Sequence, residues 1–278
     1  MDSGAGERGV EYMQGGRRAV AALAMSASAS GTSRPSQPRR KWKRPSHAQV
    51  VAAIAALPGI ALLAGHRHLP TAISFALAHG CATGVAVSIA SCRAFAGSTT
   101  GMLGKSSRGR IPLWSIALFF PFHAALRAKL WLKKRVLSRE PLHTDVGDGW
   151  HIGGWPPSAA ALPAGDPAVV DCTCEFQRTH SHVPYLCVPT WDTQCPSDPG
   201  FRAGVDFAVA QHESGRPVYV HCAHGHGRSA AMLCAILIAT GASPSVEAAE
   251  AMLKHHRPKV RLNQIQLEGL RAYLGKNK

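Results

Sequence analysis

A single uninterrupted segment fixes the centre of this chain. RPVYVHCAHGHGR, residues 216–228, runs directly into SAAMLCAILIAT, residues 229–240, and stops at Gly241. Arg216 to Val220 read as a short buried strand entered through a turn. Ser229 to Thr240 is apolar on nearly every side and ends at glycine, which reads as a buried helix. The loop between them therefore delivers free backbone N–H groups and the positive end of a helix to one point in space. Gly225 and Gly227 allow φ > 0, so the backbone can curl around an oxyanion. Arg228 adds a planar fork of donors matched to phosphate. The same field favours the thiolate of Cys222.

A metal cluster is the competing reading, because His221, Cys222, His224 and His226 crowd into six positions. A tetrahedral site needs ligands spaced so that four can converge. These four are too close together to do so, and Arg228 would place a fixed cation beside the metal. Cys172 and Cys174 form a C-x-C, while Cys81, Cys92, Cys187 and Cys195 show no ligand pairing. The expectation is no metal and no cofactor.

Cys222, AHGHG, Arg228 and Ser229, preceded by His221, resemble the signature of the cysteine-based phosphatases. The G-x-G-R-S ending resembles the dual-specificity and lipid-phosphatase branch. Rhodanese-like phosphatases share C-x₅-R but usually lack these glycines. The resemblance covers about Glu140 to the C-terminus and is closest to plant-type dual-specificity-phosphatase-like proteins with a hydrophobic N-terminal region. It implies a cysteinyl-phosphate mechanism. Cys222 attacks phosphorus, and Arg228 with the loop from Ala223 through His224, Gly225, His226 and Gly227 holds the nonbridging oxygens. Ser229 hydrogen-bonds the sulfur, and His221 orients the loop. Lipid phosphatases of this branch often carry Lys or Arg in the loop, where this chain has His224 and His226. That departure weakens a polyphosphoinositide reading.

The chemistry also needs a proton donor. Asp171 and Glu175 lie in or beside AVVDCTCEF, a strand, whereas Asp192 follows the strand SHVPYLCVPT and opens the loop WDTQCPSDPG. Loops leaving the carboxyl ends of strands carry the reacting groups of α/β sheets. Family members place their acid on such a loop, roughly thirty residues before the Cys. Asp192 is the candidate acid, with Asp198 as runner-up.

Charge divides the chain. Residues 139–278 hold 12 Lys and Arg against 13 Asp and Glu, and residues 1–138 hold 19 against 3. The net charge of +15 therefore belongs to the N-terminal half and is no argument for nucleic acid. Residues 1–46 are rich in Gly, Ser, Arg and Pro and read as a disordered basic tail. After Glu11 their acid-poor composition also fits an organelle transit peptide.

Residues 47–138 read as a membrane-associated region. Ala48 to Gly65 and Leu69 to Ser91 carry no formal charge, and the second is long enough to span a bilayer. His66-Arg67-His68 between them suits a tight hairpin. PRRKWKR before the hairpin, and Arg93, Lys105, Arg108 and Arg110 after it, put both of its ends on the cytosolic side. Ile111 to Leu126, with two prolines and basic flanks, reads as re-entrant or interfacial. Eight Cys without secretory spacing fit a reducing compartment.

Residues 139–278 alternate strands and helices: a three-layer α/β domain with a mostly parallel sheet between helices. The leading function is a membrane-associated phosphatase acting on phosphoprotein Tyr, Ser or Thr. A phospholipid head-group phosphatase is the alternative, and a phosphate-binding pseudophosphatase the third reading. The partners implied are a phosphorylated protein or phospholipid and membrane lipids.

Overall fold

The computed structural model describes residues 46–65, 67–133, 135 and 140–277. The expected disordered tail lies outside the described residues, apart from Ser46.

The chain opens with two long apolar helices, α1 (His47–Gly65) and α2 (Thr71–Ser91), packed against each other. Small residues set their approach. A Cβ on Gly84 would collide with Ala55, and one on Gly59 would press on Cys81 Sγ. At ~1.5 Å per residue the helices are about 28 and 32 Å long, close to a bilayer's hydrocarbon thickness. Ile54, Leu57, Ile60, Leu63, Ile73 and Phe75 are exposed along them.

The third apolar stretch is two helices, α3 (Leu113–Leu118) and α4 (Phe120–Leu132), broken at Phe119 ahead of Pro121. Its middle reaches α2, where His79 Nε2 lies 2.8 Å from Leu118 O. Both of its ends return to the C-terminal half. Arg178 N–H donates to Gly109 O at 2.8 Å, and Leu130 packs on Phe176 and Ala223. Both ends of the stretch thus lie against the C-terminal half, while its middle lies against α2.

The rest is the expected layered domain. Strands β1 (His143–Gly147), β2 (Trp150–Gly153), β3 (Ala168–Asp171), β4 (Tyr185–Cys187) and β5 (Val218–His221) form one sheet in the order β1-β2-β5-β3-β4. Only the β1–β2 pair is antiparallel. Helices α5 (Asp198–Glu213), α6 (Arg228–Ala239), α7 (Val246–His256) and α8 (Gln264–Lys276) complete it. Ser197 and Ser245 cap α5 and α7, and Asn263 with Gln266 forms a capping box on α8. The core gathers around α6, whose residues 228–237 are all buried.

Contacts cross residue 139 freely, and 45–278 clusters as one compact unit. Trp191 and Cys174 share a buried cluster with Val87, Leu103, Phe119 and Phe122. Gln194 Nε2 donates to Ser91 O, and Trp191 Nε1 to Thr99 Oγ1. Lys105, expected as a charge flanking the hairpin, is corrected to a core residue. Its Nζ sits 2.6 Å from Asp171 Oδ2 and 2.7 Å from Thr173 O, with the ammonium fully enclosed. The composition changes at 139; the packing does not.

Candidate active site

The loop from Cys222 to Gly227 joins β5 to α6 at the C-terminal edge of the parallel strands. Gly225 takes φ +78, and a Cβ there would strike the Gly153 carbonyl carbon at 2.5 Å. Only glycine fits, and its N–H then donates to Cys222 Sγ at 3.2 Å. Ser229 Oγ donates to the same sulfur at 3.4 Å. Burial pushes the Cys222 thiol up, but Arg228, the Ser229 hydroxyl and loop N–H groups outweigh it and bring the thiol below its ordinary value. The loop therefore favours a thiolate at the N-terminal end of α6.

Arg228 is fully buried and held by a residue the sequence did not single out for this role. Its Nη2 and Nη1 donate to Glu175 Oε1 and Oε2 at 2.7 and 2.9 Å, a bidentate pair. Nη1 also donates to Thr190 O at 2.7 Å. Glu175 accepts from Cys174 N–H as well, which fixes it. Asp192 Oδ1 lies 3.4 Å from Arg228 Nη2. Burial raises the Asp192 carboxyl, while Arg228 first, then His47 and Lys129, hold it well below the usual carboxylate range. Thr193, next along, takes φ 65, an unusual turn for a β-branched residue. Asp198 is not at the site: it pairs with Lys276 in the first turn of α5.

The remaining loop residues have structural partners. His226 Nε2 lies 2.7 Å from Glu140 Oε2. Burial and Lys133 push the His224 imidazole down to about 3, against the pull of Asp192, so it is neutral near pH 7. The His pair does not offer two imidazolium cations. His221 is buried, with Nδ1 3.4 Å from Cys222 O and Nε2 3.9 Å from Asp171 Oδ1.

Arg257, which no sequence signal marked, straps the loop from outside. It donates to Gly225 O, His224 O, Pro141 O and Thr144 Oγ1. A cleft of about 330 Å³ opens beside the loop between Lys133, Pro157, His224 and Arg257. Among the described residues no group of His, Cys, Asp and Glu converges as a metal site.

A buried cysteine under loop amides, with an arginine clamped opposite a carboxylate, is the arrangement that the resemblance to cysteine-based phosphatases implies. Residues 167–275 match the family model described as dual specificity phosphatase, catalytic domain. That match spans less than half of the chain. Two curated proteins, from Mus musculus and Rattus norvegicus, are similar over 103 residues at 37% identity. Each is named phosphatidylglycerophosphatase and protein-tyrosine phosphatase 1. The match covers 37% of this chain and 53% of theirs, so the chain spans about half the length of these relatives. Among solved structures, one of PTPMT1 in complex with PI(5)P is 24% identical, with TM-score 0.44, covering 49% of this chain and 96% of that one. The human tyrosine phosphatase-like serine/threonine/tyrosine-interacting protein is 19% identical, with TM-score 0.45, covering 50% and 99%.

Proposed function

We propose that this protein is a membrane-held, cysteine-dependent phosphatase that hydrolyses phosphomonoesters through a cysteinyl-phosphate intermediate. The observation that carries it is Cys222 Sγ accepting from both Gly225 N–H and Ser229 Oγ while Arg228 shares its loop. The Cys222 thiolate attacks phosphorus, forming the S–P bond as the P–O bond to the leaving group breaks. Asp192 gives its proton to the departing oxygen. Its carboxylate then takes a proton from water, which attacks phosphorus and releases the thiolate to the Ser229 hydroxyl. Arg228 and the loop amides hold the nonbridging oxygens throughout. Asp192 starts ionised beside Arg228. An incoming phosphate dianion engages the guanidinium and places negative charge beside the carboxyl; both effects raise its affinity for a proton, which Asp192 takes from solvent as the substrate binds.

A phospholipid head-group monoester is the favoured substrate, and phosphoprotein the second reading. The acid loop is built onto the base of the apolar hairpin: His47 N–H donates to Thr193 Oγ1 at 3.2 Å. If α1 and α2 cross a bilayer, the site faces its surface, where membrane-borne substrate is concentrated. The mouse relative's name pairs both activities. Catalysis in a reducing compartment on the cytosolic side suits the thiolate and the charge flanks.

The test reconstitutes the full chain in phosphatidylcholine vesicles. Phosphate release is compared from vesicle-borne phosphatidylglycerophosphate and from phosphotyrosyl, phosphoseryl and phosphothreonyl peptides. Faster turnover of the lipid is expected. Turnover of peptides alone returns the protein-phosphatase reading. Cys222→Ser should abolish turnover while keeping phosphate binding, and Arg228→Lys should be severely impaired. Activity in Cys222→Ser overturns the mechanism.

A further inference from the structure

A second cleft of about 330 Å³, within the size range of small-ligand sites, lies between the loop preceding α3 and the segment following β3. Arg108, Arg110, Arg178 and His180 line it, and no acidic residue does. Arg108 and Arg110 are exposed, and among the described residues neither makes an ion pair. Gly109 between them takes φ +80. A Cβ there would strike Tyr185 Oη and Arg178 Cβ, so the loop is pressed hard against the wall.

The wall itself is fixed. Arg178 Nη2 donates to Val183 O at 2.9 Å, and its guanidinium lies 4.3 Å over the Tyr185 ring. Its Nε is buried without a hydrogen-bond partner. His180 is 7% exposed, and neither ring nitrogen has a partner among the described residues. Burial and the neighbouring Arg178 push this imidazole down to about 4, so it is neutral near pH 7 with one N–H to donate. A buried donor without an acceptor costs free energy unless a ligand supplies one. Three guanidiniums and an imidazole around one cleft call for an anion with several oxygens, and phosphate matches the arginine forks.

The rim shows where that phosphate comes from. Pro112 opens α3 two residues after Arg110, and Leu113 and Trp114 there are 83% and 56% exposed. Cations beside an exposed Trp and Leu, at the end of an apolar hairpin, are the chemistry of a bilayer interface.

We propose that this cleft binds the phosphate of an anionic phospholipid, with Leu113 and Trp114 against its acyl region, and so seats the phosphatase on the bilayer independently of the Cys222 loop. The inference rests on the membrane reading above. A free phosphate ion shares the head-group chemistry, so the experiment separates the two.

The full chain is placed in nanodiscs of phosphatidylcholine, with or without a minor fraction of phosphatidylglycerol, and amide hydrogen exchange is followed. Phosphatidylglycerol is a phosphodiester, and so is no substrate for a monoester site. It should slow exchange at 106–111 and 177–182 and leave 222–229 unchanged. Arg108→Gln/Arg110→Gln should remove this protection and weaken phosphatidylglycerol binding by roughly 30-fold, while hydrolysis of a small aryl phosphate in phosphatidylcholine discs is unchanged. Equal protection by inorganic phosphate alone, with none added by the lipid, overturns the lipid assignment. No protection by either overturns the site. Flotation on phosphatidylcholine vesicles reports separately on the hairpin. Parent and double variant should both float, and if neither does, the membrane reading fails and the proposal with it.

Discussion

His47 Nδ1 lies 3.8 Å from Asp192 Oδ2, which joins the first residue of the apolar hairpin to the candidate general acid. The His47 ring also stacks on Trp191 at 6.5 Å, and its backbone N–H holds Thr193. The acid loop is therefore seated by an element from the opposite end of the chain. Losing this seat should let the carboxyl wander from the leaving oxygen. His47→Ala is expected to lower kcat about 5- to 10-fold for alkyl phosphates and less than about twofold for activated aryl phosphates. His47→Gln should restore part of it. An equal loss on both substrate types would mean that His47 only supports the fold.

The donors to Cys222 predict its titration. Ser229 Oγ and Gly225 N–H stabilise the thiolate and not the neutral thiol. Removing the hydroxyl raises the pKa. Ser229→Ala should move the pH midpoint of Cys222 alkylation by iodoacetamide up by about one unit. It should also slow breakdown of the cysteinyl phosphate, because the departing sulfur loses its donor. A midpoint that stays put would remove Ser229 from the chemistry.

Glu175 carries the only bidentate carboxylate on Arg228 among the described residues. Arg228 sits 1% exposed, so its charge depends on that partner. Glu175→Gln keeps one acceptor and loses the charge. It should lower kcat/KM by about 100-fold and destabilise the fold by roughly 3 kcal/mol, since a buried cation loses its bidentate carboxylate and keeps only the longer contact to Asp192. Steady-state kinetics and a urea melt report the two effects. Parental values in both would show that Asp192 and Thr190 O suffice to hold the guanidinium.

What the sequence made legible was local. Cys222, Gly225, Arg228 and Ser229 are contiguous, and the strand and helix around them carry clear apolar texture. Asp192 was read as the candidate acid from its place after a strand together with the spacing that the family resemblance implies. The partners that lock these groups come from far along the chain: Glu175 is 53 residues from Arg228, and Arg257 is 32 from the Gly225 carbonyl it holds. Such pairs leave no period to read. β1 was missed because HTDVG is polar, as an edge strand can afford to be. The side-chain partner of His226 was not legible either: the fold brings Glu140, 86 residues away, to its Nε2.

The buried pair Lys105–Asp171 carries the strongest consequence for how the chain is cut. Asp171 Oδ2 receives Lys105 Nζ at 2.6 Å and Tyr185 Oη at 2.7 Å, and Oδ1 receives Thr173. Burial raises the Asp171 carboxyl, but Lys105, His221 and Thr173 hold it well below the usual carboxylate range. Burial lowers the Lys105 ammonium, and Asp171 outweighs that and raises it. A depressed carboxylate contributes stability above its unfolded pKa, and this is lost as pH falls through the folded value. A raised ammonium contributes below its unfolded pKa, and this is lost as pH rises through the folded value. The pair should therefore stabilise fully between about pH 4 and pH 10. A fragment of residues 139–278 keeps Asp171 and loses Lys105. It also uncovers Trp191, Cys174 and Phe176, which the N-terminal half buries. An unpaired buried charge costs roughly 3 to 5 kcal/mol, a large share of a small domain's stability. The fragment is expected to melt far below a 45–278 chain compared in the same detergent, and to recover part of the difference as Asp171→Asn, whose side chain needs no counterion. In the longer chain Lys105→Met should reproduce the loss, and the further substitution Asp171→Asn should relieve it. A 139–278 fragment as stable and active as the longer chain would show that the catalytic domain folds without the elements packed on it.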